Sequence, residues 1–125
     1  MILRGIAASD GIGIGKAVCV REQSLDYSAV QYGGKEVEKQ RLQAAITQFN
    51  EKTTAMAEHI RAKVGEKESE ILTGQIMMLG DPFMQSQMEE VIDAGQCAEA
   101  AVDQVCTTYA EMFAGVEDEL MRQRA

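Results

Sequence analysis

Tryptophan is absent from this chain, and only three tyrosines and three phenylalanines stand in its 125 residues. A core must therefore come from Leu, Ile, Val, Ala and Met, residues that suit helices. No apolar run is long enough to span a bilayer, and no signal peptide precedes the first motif. Cys19, Cys97 and Cys106 are odd in number and lack C-x-x-C spacing, which argues against a disulfide framework or a zinc site and fits a reducing cytoplasm. Positive charge is also scarce. Twelve Lys and Arg face twenty Asp and Glu, for a net charge of −8. Nucleic acid and anionic membranes would repel such a chain, and a basic partner would attract it.

What is present is 46% hydrophobic residues, enough for a packed core. The length suits one domain, or one domain and a piece of another. The chain is organised around residues 66–84, where an acidic opening, Glu66-Lys67-Glu68-Ser69-Glu70, runs into an apolar segment, breaks at Gly80-Asp81-Pro82 and restarts. An Asp before a Pro starts a helix: its oxygen accepts a backbone N–H, and Pro fits the first turn. Two short helices meeting at a bend are expected, with Ile71, Leu72, Ile76 and Leu79 inward. Met77 and Met78 are about 100° apart on a helix, so at least one faces outward.

In chain order, residues 2–8 and 16–21 read as two short strands around a Gly-rich turn. That turn is no phosphate loop: Asp10 stands where G-x-x-x-x-G-K needs Gly, and Ala17 where it needs Ser or Thr. Two lone strands are marginal by themselves, so the chain is expected to be a fragment of a larger sheet-bearing protein. Residues 23–34 read as a linker. From 35 to 64 the period is helical, through Val37, Leu42, Ala45, Ile46, Phe49, Met56, Ile60 and Val64, and a helix of that length is about 45 Å long. It suits the spine of a bundle, or else a self-pairing dimer. His59, the chain's one histidine, reads as a solvated surface residue without partners for catalysis. Phe83, Met84, Met88, Val91 and Ile92 give the next helix its apolar face, up to Gly95. A further helix, 98–114, carries Ala101, Val102, Val105, Cys106, Tyr109, Met112 and Phe113 inward. A last helix begins at Glu117 or Asp118, with Leu120 and Met121 inward, and the sequence stops within it.

Residues 66–90 hold six acids against Lys67, a net −5, and four of the eight methionines. Clustered Met beside acidic residues fits either a core or an adaptable binding surface. No catalytic constellation and no metal-ligand spacing appears. The residues themselves support protein binding better than catalysis.

Three stretches, in order, resemble bacterial enzyme I, the phosphoenolpyruvate–protein phosphotransferase of the sugar phosphotransferase system. Gly5-Ile6-Ala7-Ala8-Ser9-Asp10-Gly11-Ile12 with Gly15-Lys16-Ala17 resembles the family's A-S-P-G-I-x-x-G-K-A, with Asp10 in place of Pro. Glu68-x-Glu70-Ile71-Leu72 through Met77-Met78-Leu79-x-Asp81-Pro82 resembles E-x-x-I-F-x-x-H-x-x-(L/M)-L-x-D-P. Asp118-Glu119 with Arg124-Ala125 resembles the segment that opens the family's fourth helix.

The resemblance implies a mainly α fold: a helical bundle, being the family's four-helix HPr-binding subdomain with its fourth helix cut short, attached to a short β-strand pair from an incomplete α/β phosphohistidine domain. Residues 1–22 would be the first strands, 23–34 the linker and 35–125 the HPr-binding subdomain. The parent enzyme would pass a phosphoryl group from phosphoenolpyruvate through a histidine to the phosphocarrier HPr. The family's G-G-x-x-S-H phosphohistidine motif is absent, so the segment alone should be inactive, with no catalytic residue and no cofactor. For the parent, magnesium and a homodimer through a C-terminal half are implied. By position the HPr-docking residues would be Glu66, Lys67, Glu68, Ser69, Glu70, Gln75, Met77, Met78, Asp81, Pro82, Phe83, Met84 and Arg124. Other readings are a structural or dimerising helical bundle, or the same region of an enzyme I paralogue. The nitrogen-linked paralogue carries a domain ahead of this region, and Met1 beginning at the motif argues against it.

Overall fold

The computed structural model describes residues 4–6, 10–19 and 25–122. It holds four helices and a short fifth: α1 Lys35–Lys63, α2 Glu66–Leu79, α3 Pro82–Asp93, α4 Ala98–Ala114 and α5 Glu119–Arg122. The mainly helical class is as the sequence implies.

The strand pair is not seen. Residues 4–6 and 10–19 are irregular, and Ile6, Ile12, Ile14 and Val18 stand in solvent. A strand needs a neighbour for its N–H and C=O groups and a surface under its apolar face. Among the described residues neither is available to this stretch. The remaining strand positions lie outside the described residues.

Local chemistry sets the helix ends. Asp81 accepts the backbone N–H of Phe83 (2.7 Å) and Met84 (3.3 Å) through Oδ1, and Pro82 occupies the first turn. α3 ends in a paired closure: Gly95 N donates to the Ile92 carbonyl (2.9 Å) and Gln96 N to that of Val91 (3.3 Å). Gly95 has φ 99°, a left-handed conformation that favours glycine at this position. α1 carries Glu36 and Glu38 in its first turn and Arg61 and Lys63 in its last, each matching the helix dipole. The start of α5 is marked by Asp118, whose Oδ1 accepts Leu120 N.

The core sits at one end of the bundle. Leu42 and Ile46 of α1 meet Met84, Met88 and Ile92 of α3 and Ala98, Ala101 and Val105 of α4, with Met78 and Leu79 of α2 packed at its edge. The α1–α2 pair is different: its buried positions are Thr53, Ala57 and Ser69. Small side chains there let two backbones approach closely across a thin seam.

Several inward assignments change accordingly. The buried stripe of α1 is Glu38, Leu42, Ile46, Thr53 and Ala57. Val37, Ala45, Met56 and Val64 are exposed, while Phe49 and Ile60 are half-buried. Ile71 is half exposed, because α2 turns Ser69 toward α1 and only edges Leu72, Ile76 and Leu79 inward. On α4, Cys106 and Met112 are exposed, and the buried cysteine is Cys97 beside the helix start. Leu120 is exposed, and the side chain of Met121 lies outside the described ones.

Residues 25–34 are irregular but tied to the bundle. The Tyr27 hydroxyl donates to Asp103 Oδ2 (2.8 Å), and that of Tyr32 to the Ile92 carbonyl (3.4 Å). Among the described residues, no helix is long and apolar enough to cross a membrane.

Candidate functional site

α2 and the elbow that joins it to α3 present the sequence-derived docking residues, though not all of them. Glu66, Lys67, Glu68, Glu70, Gln75, Met77, Asp81, Pro82 and Phe83 are exposed. Met77 is 73% exposed and Phe83 68%. Met78 is half-buried against the core. Ser69 is fully buried and Met84 is 3% exposed, so these two support the face from behind and do not line it. Arg124 lies outside the described residues.

The helical period arranges the exposed set. At about 100° per residue, Glu66, Glu70 and Met77 fall along one edge of α2. Lys67 and Ile71 run down the middle of the exposed arc. Glu68 and Gln75 fall on the other edge. An acid-edged strip with an apolar end is the result, and it leads into the Asp81-Pro82-Phe83 elbow.

Not every acid on this side is free for a partner. Glu66 pairs with Arg61 (3.3 Å), and Glu89 with Lys39 (3.7 Å). Asp81 is engaged with two backbone amides. The strip displays acidic and apolar side chains side by side. His59 is exposed on α1 beside Met56 and Ile60. Among the described residues, no group of three or more His, Cys, Asp or Glu side chains is placed to hold a metal ion. A groove of about 490 Å³ between α3 and α4, lined by Gln87, Val91, Gln104, Val105 and Thr108, lies outside the sequence-derived set.

One charged site was not read from the sequence. Glu38 is 1% exposed and joins two helix starts. Its Oε1 accepts Gly33 N ahead of α1 (2.9 Å), and its Oε2 accepts Ala98 N at the head of α4 (2.9 Å). Arg41 donates to Oε2 (2.7 Å) and also pairs with Glu99. The Gly33 and Ala98 amides, with the Arg41 guanidinium, hold this carboxyl below the usual carboxylate range against the opposing pull of burial. Its sequence signal is faint: a Glu one helical repeat before Leu42, just after Gly33-Gly34. A reading that counts only apolar residues passes over it. Its role is structural, since every oxygen is occupied by the protein itself.

The family described as PEP-utilising enzyme, N-terminal, matches residues 4–124. The chain is 33% identical to the phosphoenolpyruvate-protein phosphotransferase of Streptococcus equinus, across 99% of this chain and 22% of that protein. It is 32% identical to that of Listeria innocua, across 98% and 22%, and 31% identical to that of Enterococcus faecalis, across 99% and 22%. The chain thus spans about a fifth of the length of these relatives. No solved structure matches it.

Proposed function

The chain belongs to the family of PEP-utilising enzyme N-terminal domains, and from that premise we propose that its helical part is the docking module for the phosphocarrier HPr in a phosphoenolpyruvate–protein phosphotransferase. The parent enzyme takes a phosphoryl group from phosphoenolpyruvate onto a histidine and hands it to HPr, in the cytoplasm, as the first step of sugar uptake. The histidine, any magnesium site and any dimer contact belong to parts of the parent outside this segment. Here the work is recognition: holding HPr so that its own histidine can be reached.

One observation carries the reading. α2 exposes Met77 beside an acid-rich edge while it buries Ser69. A helix that turns its large apolar residue outward and its small polar one inward is shaped by something besides its own core. The acidic edge would steer a basic partner mainly through association rate, and the apolar end would supply the desolvated centre of the contact. Glu66, Lys67, Glu68, Glu70, Gln75, Met77, Met78, Asp81, Pro82 and Phe83 form the proposed face; Arg124 belongs to the same set by its position in the sequence and lies outside the described residues. Ser69 and Met84 back it. A self-pairing α1 is less well supported, since its stripe at Leu42 and Ile46 is already filled by α3 and α4.

Isothermal titration with HPr at low and high salt tests the proposal. Binding that weakens several-fold as salt rises supports it. An absence of heat at millimolar HPr contradicts it.

A further inference from the structure

Resting on that docking reading, we infer that Phe83 is the apolar anchor of the face, and that Asp81 is the positioning residue that presents it and not one of the steering charges. Phe83 sits on a backbone pinned from several sides. Its own N–H and that of Met84 are held by Asp81 Oδ1, at 2.7 and 3.3 Å. Pro82 fixes the preceding φ. Gln85 Nε2 donates back to the Leu79 carbonyl (2.9 Å), and Asp81 N to that of Met78 (3.1 Å), closing the elbow from both helices. The next side chain, Met84, is locked into the core at 3% exposure. The ring of Phe83, bonded to this rigid corner, remains 68% in solvent.

A single exposed apolar residue needs no explanation. Here Ile71, Met77 and Phe83 are all exposed within one short stretch, and the buried place in α2 is given to Ser69. An aromatic ring displayed on a rigid backbone loses little conformational freedom on binding, which suits it to anchor a contact.

The charges point the same way. Of the six acids in residues 66–90, Glu66 and Glu89 are paired internally and Asp81 is spent on amides. Glu68, Glu70 and Glu90 remain, with Lys67 among them. So thin an edge can guide a partner but does not hold one in place against salt. The occupant is therefore a protein face with an apolar patch ringed by Lys and Arg: the patch receives Phe83, and the cations meet the remaining acids.

The test is titration of the full chain and its variants with HPr from the same source, at about 50 and about 300 mM salt, with each variant's fold checked by circular dichroism. Phe83→Ala is expected to weaken binding about tenfold or more at both salts, leaving the salt slope unchanged, and Phe83→Leu to recover most of the loss. The Glu68→Gln/Glu70→Gln pair is expected to flatten the salt slope with a smaller loss. Asp81→Asn keeps the capping oxygen and drops the charge, so it should recover most of the loss seen in Asp81→Ala, which should bind like Phe83→Ala. If the original chain binds and Phe83→Ala binds within twofold of it, the anchor is wrong while the docking reading stands. If Asp81→Asn loses as much as Asp81→Ala, Asp81 acts by charge and the positioning role is wrong. If the original chain does not bind HPr, the docking reading falls and the anchor with it.

Discussion

The two ends of the bundle follow opposite rules. At the core end, Leu42, Ile46, Met88 and Ile92 are buried, and Glu38, the charged residue that joins the starts of α1 and α4, accepts hydrogen bonds at both oxygens. Along the α1–α2 pair, Thr53, Ala57 and Ser69 are inside while Ile71 looks outward, and where α2 reaches the core Met77 and Phe83 also face solvent. The core end spends its apolar surface on stability. The other end leaves apolar surface uncovered, which lowers its own contribution to folding and makes it available to another molecule. Substitutions at the two ends should therefore separate stability from binding.

The largest effect is expected in the core. Ile92→Ala removes a fully buried side chain where α1, α3 and α4 meet, and should lower stability by about 2–5 kcal/mol. Met77→Ala, on the exposed face of α2, should stay within about 0.5 kcal/mol. Urea unfolding of both variants measures the contrast, and similar losses would erase it.

Glu38 comes next. Glu38→Ala strips the acceptor from two backbone N–H groups and from Arg41, and should lower stability by about 1–3 kcal/mol. The pH dependence has a definite sign. Folding lowers this carboxyl's pKa, so its contribution is complete above the ordinary carboxylate range and is lost as pH falls through the depressed folded value. The original chain should therefore lose stability on acidification more steeply than Glu38→Ala. Equal acid slopes in thermal melts would show that the carboxylate does not bridge the helices in solution.

The seam comes last. Ser69→Leu forces volume between α1 and α2 and should cost about 1–3 kcal/mol despite adding an apolar side chain. Ile71→Ser, two residues on, should be near neutral. Thermal midpoints decide it: a gain for Ser69→Leu would mean that the seam is loose.

What could be read in the sequence divides along physical lines. Helix ends were legible because caps are local: Asp81 with Pro82, Gly95 and Gly115 each act within a few residues of themselves. Which side of a helix is buried was legible for α3, where Met84, Met88 and Ile92 repeat at four-residue steps. It was not legible for α1 and α2, because burial there depends on what the facing helix needs. A close approach takes Thr53 and Ser69, and a second helix start takes Glu38. No apolar count along one strand of sequence contains that information. The strand pair was misjudged for a related reason, since β-propensity at residues 2–8 and 16–21 becomes structure only beside further strands. For the candidate face, the acids and one outward methionine are legible as types and spacing, whereas spacing puts Phe83 on the apolar face of α3, and the structure leaves it exposed. The burial of Ser69 and Met84, and the use of Asp81 as a cap, appear only once the helices are packed.

The most direct measurement is a ¹H–¹⁵N titration of the chain with HPr, following every backbone amide. Docking on the exposed edge of α2 and the elbow predicts shifts concentrated at residues 66–83, smaller at high salt, with the amides of Leu42, Ile46 and Glu38 unmoved. Shifts centred on the core end, or none in a chain shown to be folded, would contradict it.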